Sequence, residues 1–334
     1  MTLLWMDGFD LGDRAYKYPT NPGQGTSSNT RYGSGLSLQA NSTGSLMSIP
    51  LTASAEVFCG VAVDLSTNRG AVTFQGDNRA TSHITVMMYT DGSIEVRRGT
   101  STGTIIASAP AGTVPAGVWN YYEMRVTISD TVGIVQVRTN GGTTNVIDFS
   151  GDTKNAGTNT TIDGVNLGVN GTTVCRYDDL YILNALGSAP NNTWLGDVRI
   201  AGLFATGNGN SSQLLGSDGN STDNYLLVSG AGGVTDYVGS AVVGEKDTYV
   251  MGDLIAGATS VFAVQECSIV SKSDAGAANI KQVLRSGGTD YAGAAVPLTE
   301  AWFGIRRIHE TNPATSVQWT PSGVNAIESG VEVA

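Results

Sequence analysis

Histidine, cysteine, charge and long apolar runs are all in short supply in this chain, and each shortage removes a class of protein. His83 and His309 are the only histidines, and neither has a Cys, His or Asp trio near it. H-x-H and H-E-x-x-H are missing, which excludes the usual zinc hydrolase signatures. A Ser-His-Asp site would have to be assembled from distant segments, and His309 beside Glu310 reads as an exposed or edge pair. The three cysteines, Cys59, Cys175 and Cys267, lie far apart with no C-x-x-C spacing. That odd number argues against both a disulfide framework and a zinc knuckle. Cys59 and Cys175 sit inside strand-like runs, where a free thiol acts as a small buried hydrophobe.

No stretch approaches the roughly 18 consecutive apolar residues of a membrane helix. Met1-Thr2-Leu3-Leu4-Trp5-Met6-Asp7 has no basic start and meets an acid too early for a signal peptide. The expectation is a chain made in a reducing cytoplasm, with no membrane insertion. Charged residues make up only 14% of it, for a net of −11. Such a field repels a phosphate backbone, so nucleic acid is not an expected partner.

Glycine, by contrast, is abundant: 44 residues, many beside Ser, Thr or Asn. Each would destabilise a helix interior by roughly 1 kcal/mol, so the pattern is that of turns in an all-β chain. A length of 334 residues suits two domains better than one core. The division is expected at Gly187-Ser188-Ala189-Pro190-Asn191-Asn192, giving domains over 1–186 and 187–334. Tyr177–Leu183 reads as the last strand of the first sandwich, and Trp194–Ile200 as the first strand of a second, smaller one.

Hairpins are plain in the first domain. Ile84–Tyr89 and Ser93–Arg97 flank Asp91-Gly92, while Trp119–Ile128 and Gly133–Arg138 lead to Asn140-Gly141. Both dipeptides take φ > 0 at low cost. Thr20–Thr30 reads as loop, and Arg31–Gln39 and Val57–Leu65 as strands. In the second domain strands are expected at Tyr225–Val228, Asp247–Val250, Ser260–Gln265, Ile280–Arg285 and Trp302–Arg306. Gly207-Asn208-Gly209 reads as turn, and Val324–Gly330 as a short helix stopped by Gly330.

A retaining glycosidase on such a fold needs two carboxylates about 5–5.5 Å apart, hence acids at i and i+2 or i+4 of one strand. E-x-D-x-x-E is missing, Glu123 stands alone, and Glu95 is followed by Val96-Arg97-Arg98. Asp178 and Asp179 are neighbours, which on a regular strand face opposite ways. No catalytic residue is nominated, and the expected protein is not an enzyme. No cofactor is expected. Calcium is the one candidate metal, with Asp7, Asp10 and Asp13 in one acidic stretch and Asp163, Asp178 and Asp179 as hard oxygen ligands in another. Ordinary turn chemistry explains the same residues. Tyr16, Tyr18 and Tyr32 are candidate contacts to a glycan or a protein interface, with Trp5 and Tyr121 as further stacking aromatics. Trp119, Tyr122 and Trp302 read as core.

Two family resemblances follow. R-Y-G-S-G-L-S-L, W-N-Y-Y-E-M-R-V, G-I-V-Q-V-R-T-N-G and Y-D-D-L-Y-I occur in that order over the first 185 or so residues. The series resembles the concanavalin A-like, laminin-G-like jelly roll. G-F-D, then N-T-W-L-G-D-V-R-I, R-S-G-G-T-D-Y and the C-terminal E-T-N-P-A-T-S-V-Q-W-T-P-S-G-V-N-A-I-E-S-G-V-E-V resemble a group of tailed-bacteriophage virion proteins. That resemblance implies a non-enzymatic structural component, tail or fibre associated, carried in the virion after synthesis in the host cytoplasm. Its implied partners are other virion proteins and further copies of the chain in a symmetric assembly. The alternatives are a capsid-surface decoration protein and a lectin-like adhesin recognising host surface sugars.

Overall fold

The computed structural model describes residues 2–12, 14–18, 24–41, 46–66, 69–169, 174–230 and 233–334. The chain is all-β and forms two compact units: Met1–Asp10 with Tyr18–Ile200, and Leu11–Lys17 with Ala201–Ala334.

Fourteen strands build the first unit: β1 (Leu3–Asp7), β2 (Gln24–Ser27), β3 (Ser37–Ala40), β4 (Leu46–Ser54), β5 (Glu56–Asp64), β6 (Gly70–Gly76), β7 (Thr81–Met88), β8 (Ile94–Arg98), β9 (Thr104–Ala109), β10 (Trp119–Thr127), β11 (Gly133–Thr139), β12 (Ile147–Gly151), β13 (Ile162–Val169) and β14 (Cys175–Asn184). An eight-stranded sheet runs β12-β11-β10-β5-β14-β3-β2 with β1 on β14, and a six-stranded sheet runs β4-β13-β6-β7-β8-β9. All pairings are antiparallel, and β5 between β10 and β14 and β13 between β4 and β6 are crossovers, as in a jelly-roll sandwich. Alternation does the sorting. Val57, Cys59, Val61 and Val63 of one sheet and Val72, Phe74, Ile84 and Val86 of the other join one buried core. Burial pushes the Cys59 and Cys175 thiols well up, so both are neutral packing groups.

Local turn chemistry explains what was legible here. The hairpins at Asp91-Gly92 and Asn140-Gly141 form with positive φ at Gly92, Asn140 and Gly141. Departures occur where chain neighbours do not decide. The expected loop over Thr20–Thr30 contains β2, which pairs with β3 (its residues 20–23 lie outside the described residues). The expected strand from Arg31 begins only at Ser37.

The expected opening strand of the second sandwich, Trp194–Ile200, is not a strand and belongs to the first unit. Its alternating residues lie over the outer face of the eight-stranded sheet, held by side chains and not by a ladder. The division therefore falls after Ile200 and not at the Pro190 linker.

The second unit holds α1 (Arg14–Lys17), β15 (Ala205–Ser212), β16 (Leu215–Gly216), α2 (Asn224–Val228), β17 (Val238–Gly239), β18 (Lys246–Met251), β19 (Val264–Val270), β20 (Asn279–Ser286), β21 (Thr289–Ala292), β22 (Val296–Pro297), β23 (Phe303–His309), α3 (Pro321–Val324) and β24 (Glu328–Val333). One sheet runs β15-β18-β24-β20-β21 with β22 on β20; β19 pairs with β23 and β16 with β17.

Four sequence expectations fail here. Tyr225–Val228 is a helical turn, anchored by buried Asn224, whose Nδ2 donates to Leu214 O and Asp247 Oδ2 at 2.9 and 2.6 Å. Gly207-Asn208-Gly209 lies within β15. Ser260–Ala263 is irregular, the strand starting at Val264. The C-terminal helix stops at Val324, its first turn capped by the Thr320 hydroxyl accepting from Gly323 N at 3.0 Å, and Glu328–Val333 becomes a strand paired on both edges. Gly330 is no helix stop: a Cβ there would lie 1.9 Å from Asp247 O, so only glycine permits that pairing.

Candidate functional site

The outer face of the six-stranded sheet carries an unusual row. Ser48 pairs with Asn166, Asn166 with Thr73, Thr73 with Thr85 and Thr85 with Arg97, so one polar side chain from each of five strands shares a face. The intervening residues Ile49, Val165, Val72, Phe74, Val86 and Val96 point into the core. Beside the row stand Gln75, opposite Gly164, and His83, at a bulge where β7 slips against β6. The Thr73 and Thr85 hydroxyls meet at 3.1 Å, and that of Thr85 donates to Gly99 O at 2.8 Å.

Two buried amide oxygens on this face, Gln75 Oε1 and Asn166 Oδ1, have no hydrogen-bond partner among the described residues; nor, at the β6–β7 end, do His83 Nε2 and Asp77 Oδ2, although, against burial, Thr81 and the Thr158 N–H also hold the Asp77 carboxyl down. Leaving such a group unpaired costs about 1–3 kcal/mol, so each calls for an explanation. They form a mixed set. His83 Nδ1 accepts from Asn155 N at 3.4 Å, which puts the ring hydrogen on Nε2 as a donor, and burial lowers the His83 pKa and keeps it neutral. The other three are acceptors. Asp77 Oδ2 lies 4.0 Å from His83 Nε2, beyond hydrogen-bond reach.

Farther along the face, Arg97 grips Glu95 through Nη2 at 2.6 Å and Nε at 3.0 Å, and the Tyr89 hydroxyl donates to the same oxygen at 2.5 Å. Burial alone would raise Glu95, but Tyr89 and Arg97 hold its carboxyl below the usual range. Arg69 lies over the Tyr89 ring, 5.5 Å from its centre.

The residues expected from the sequence fall elsewhere. Asp7 accepts from Phe9 N at 2.7 Å and from the Tyr18 hydroxyl, and Trp5 Nε1 donates to that hydroxyl at 3.1 Å. Tyr18 is thus buried and offers no platform to a sugar, which corrects the expectation for it. Trp5 and Tyr121 are buried as well. Tyr16 is half-buried, in α1 of the second unit, and Asp10 accepts from Leu36 N at 2.9 Å. Asp13 lies outside the described residues. Tyr32 is exposed, with the guanidinium groups of Arg31 and Arg199 at 5.0 and 4.3 Å from its ring centre.

Asp178 and Asp179 do not point apart. Asp179 has φ 51° and the ladder with β5 slips between Asp178 and Tyr181, so both carboxylates gather at Arg31. Asp178 accepts from Arg31 N at 3.2 Å. Asp179 accepts from Arg31 Nη1 at 3.3 Å and from Ile200 N at 2.7 Å. Burial first, then the Asp179 charge, pushes Asp178 up to about 8; burial pushes Asp179 up to about 6 against its N–H donors and Arg31. Among the described residues no three His, Cys, Asp or Glu come together as a metal group, although the Asp10 charge also reaches Asp178. His309 is likewise no exposed partner of Glu310: it is buried, with Nε2 2.7 Å from Glu266 Oε2.

Sequence reasoning missed Gln75, Asn166, Thr73, Thr85 and Arg97. The polar alternation of G-A-V-T-F-Q-G and I-D-G-V-N-L-G-V was available, but nothing local puts β13 beside β6.

No protein-family model matches the chain, and no curated protein matches it. Among solved structures it is similar to a tetrameric galectin from the ball sponge Cinachyrella sp. (10% identity, 42% of this chain and 99% of that one, TM-score 0.32). It is also similar to the galectin LEC-6 of Caenorhabditis elegans (13% identity, 44% and 96%, TM-score 0.30). A Trypanosoma rangeli sialidase matches with 12% identity over 47% of this chain and 26% of that one, TM-score 0.30.

Proposed function

We propose that the first unit is a non-catalytic carbohydrate-binding module, with the outer face of the six-stranded sheet as its binding surface. The observation that carries this is the pair of buried, unpaired amide oxygens, Gln75 Oε1 and Asn166 Oδ1, in and beside the Ser48–Asn166–Thr73–Thr85–Arg97 row. Sugar hydroxyls donate and accept at once, so a saccharide on this face has donors for the Gln75 and Asn166 oxygens. Support for a binding role without hydrolysis is that Glu95 is held on Arg97 and Tyr89, while Asp178 and Asp179 accept backbone N–H groups. A glycan array probed with the full chain tests the reading, with Gln75→Ala and Asn166→Ala as controls. Binding to some saccharide class that both variants weaken at least tenfold is expected. A folded chain that binds no saccharide, or variants that bind as the parent does, would overturn it.

A place on a tailed-phage particle, in a symmetric homo-oligomer with other virion proteins, is a second reading. Its support is that the C-terminal residues carrying the resemblance hold the second unit together: Trp319 and Ile327 in its core and Glu328–Val333 as the strand between β18 and β20. In that setting a host surface glycan is the natural ligand of the first unit. Immunogold label against the chain on intact particles tests the setting: label on tail or fibre supports it, label on the head points to decoration, and no label refutes it.

A further inference from the structure

Resting on the carbohydrate reading, we propose that the saccharide is an acidic one, and that Arg79 takes its carboxylate. The turn between β6 and β7 holds three successive non-glycine residues in the left-handed region: Asp77, Asn78 and Arg79, at φ 56°, 59° and 66°. Asp and Asn enter that region at reduced cost, whereas a residue such as Arg79 pays roughly 1–2 kcal/mol, and strain of this kind persists only where the surroundings over-determine it. Here they do. Asp163 accepts from Asn78 N at 2.7 Å and Arg79 N at 2.9 Å, one oxygen each, and Asp77 Oδ1 accepts from Asn159 N at 3.3 Å.

The consequence is where Arg79 goes. Its stem lies over Gly164, where a Cβ would be 2.5 Å from Arg79 Cγ and 2.9 Å from Cδ. Gly164 pairs directly with Gln75 and stands two residues before Asn166 on the same strand face. The strained turn thus lays an arginine beside two nine-tenths-buried amides whose oxygens, Gln75 Oε1 and Asn166 Oδ1, have no partner among the described residues.

Five other arginines of the first unit are held by acids, whereas Arg79, like Arg138 and Arg199, is not. Arg31, Arg97, Arg98, Arg125 and Arg176 each meet a carboxylate within 4 Å. Arg79 is exposed and, among the described residues, in no ion pair. The acid nearest its backbone, Asp163, has both oxygens on N–H groups of the turn. A guanidinium is a planar fork matched to a carboxylate, and a bidentate pair adds direction as well as strength. Amide oxygens beside it accept from ring hydroxyls. A hexuronate or a nonulosonate offers both functions on one ring; a neutral hexose would leave the fork without a partner.

The test uses the full chain with oligogalacturonate, oligomannuronate and sialyllactose, each beside its methyl ester, which keeps the hydroxyls and removes the charge. The parent is expected to bind at least one acid form at least tenfold tighter than its ester, with an affinity that falls as salt rises. Arg79→Ala should remove that difference, leaving the ester unaffected, and Arg79→Lys should keep part of it. Equal binding of acid and ester, or an Arg79→Ala chain that keeps the preference, overturns the inference while the carbohydrate reading stands. Failure of every acid form while a neutral saccharide binds through Gln75 and Asn166 does the same. Failure of all saccharides removes both. Circular dichroism and the melting curve of Arg79→Ala guard against misfolding; should it misfold, the salt dependence and the acid-to-ester ratio of Arg79→Lys decide.

Discussion

Asp178 and Asp179 owe their shared surroundings to one backbone torsion. On a regular strand they would face opposite sides, as their adjacency in the sequence implies; at φ 51° Asp179 breaks the alternation, and both carboxylates face Arg31. No residue pattern announces a bulge, because it is set by what packs around it, here Arg31 and Ile200 N. The consequence is measurable. A carboxyl whose folded pKa is raised contributes stability that is full below its unfolded value near 4 and is lost as pH rises through the folded value, about 8 for Asp178. The Asp178→Asn chain cannot ionise there, so the melting temperature of the first unit should gain on the parent's as pH goes from 5 to 9. Each kcal/mol is worth about 2–4 °C in a unit of this size. A difference that stays constant over that range, or that shrinks, rules the raised pKa out.

Among the elements, the segment Trp194–Ile200 shows best what sequence pattern does and does not carry. W-L-G-D-V-R-I alternates as a strand does, and so does any extended chain lying across a sheet with one side buried. What differs is where its polar groups go. Gly196 N donates to buried Glu123 at 2.8 Å, Leu195 N to the Tyr181 hydroxyl at 3.3 Å and Ile200 N to Asp179 at 2.7 Å. Trp194 stands edge-on to Phe58, ring centres 5.2 Å apart, with the Arg138 guanidinium 4.3 Å from its ring centre. Those partners lie on β5, β10, β11 and β14, so no local reading finds them. The same limit hid the polar row of the six-stranded sheet, whereas the hairpins at Asp91-Gly92 and Asn140-Gly141 were legible because two residues decide them. Glu123→Ala should cost about 2–3 kcal/mol, since it removes the acceptor of both Gly196 N and the Tyr181 hydroxyl. A chain ended after Leu186 should melt below one ended after Ile200. Gly60→Ala should cost about 1–3 kcal/mol by overpacking, because a Cβ there lies 2.1 Å from the Tyr181 ring. Urea titrations of the two variants and the two shortened chains measure all of this; equal midpoints for the two shortened chains would mean the segment adds nothing.

At the scale of the whole molecule, the two units differ most in how much they bury. Among the described residues the first has a large buried cluster reaching from Trp5 to Ile182, whereas the corresponding cluster in the second has four fully buried side chains, Leu284, Trp319, Val324 and Ile327. Hydrophobic burial is the main term that offsets chain entropy, so stability should be shared out unequally. Calorimetry of the full chain should show two transitions, the lower one belonging to the second unit. Trp319 identifies it. The residue is buried, its Nε1 donates to His309 O at 2.9 Å, and removing so large a side chain typically costs about 3–5 kcal/mol. Trp319→Ala should therefore lower or abolish the first transition and leave the second where it was, together with any saccharide affinity of the six-stranded face. One transition that moves as a whole in Trp319→Ala would mean that the units melt together, and that the small core of the second is stabilised by something other than its own packing.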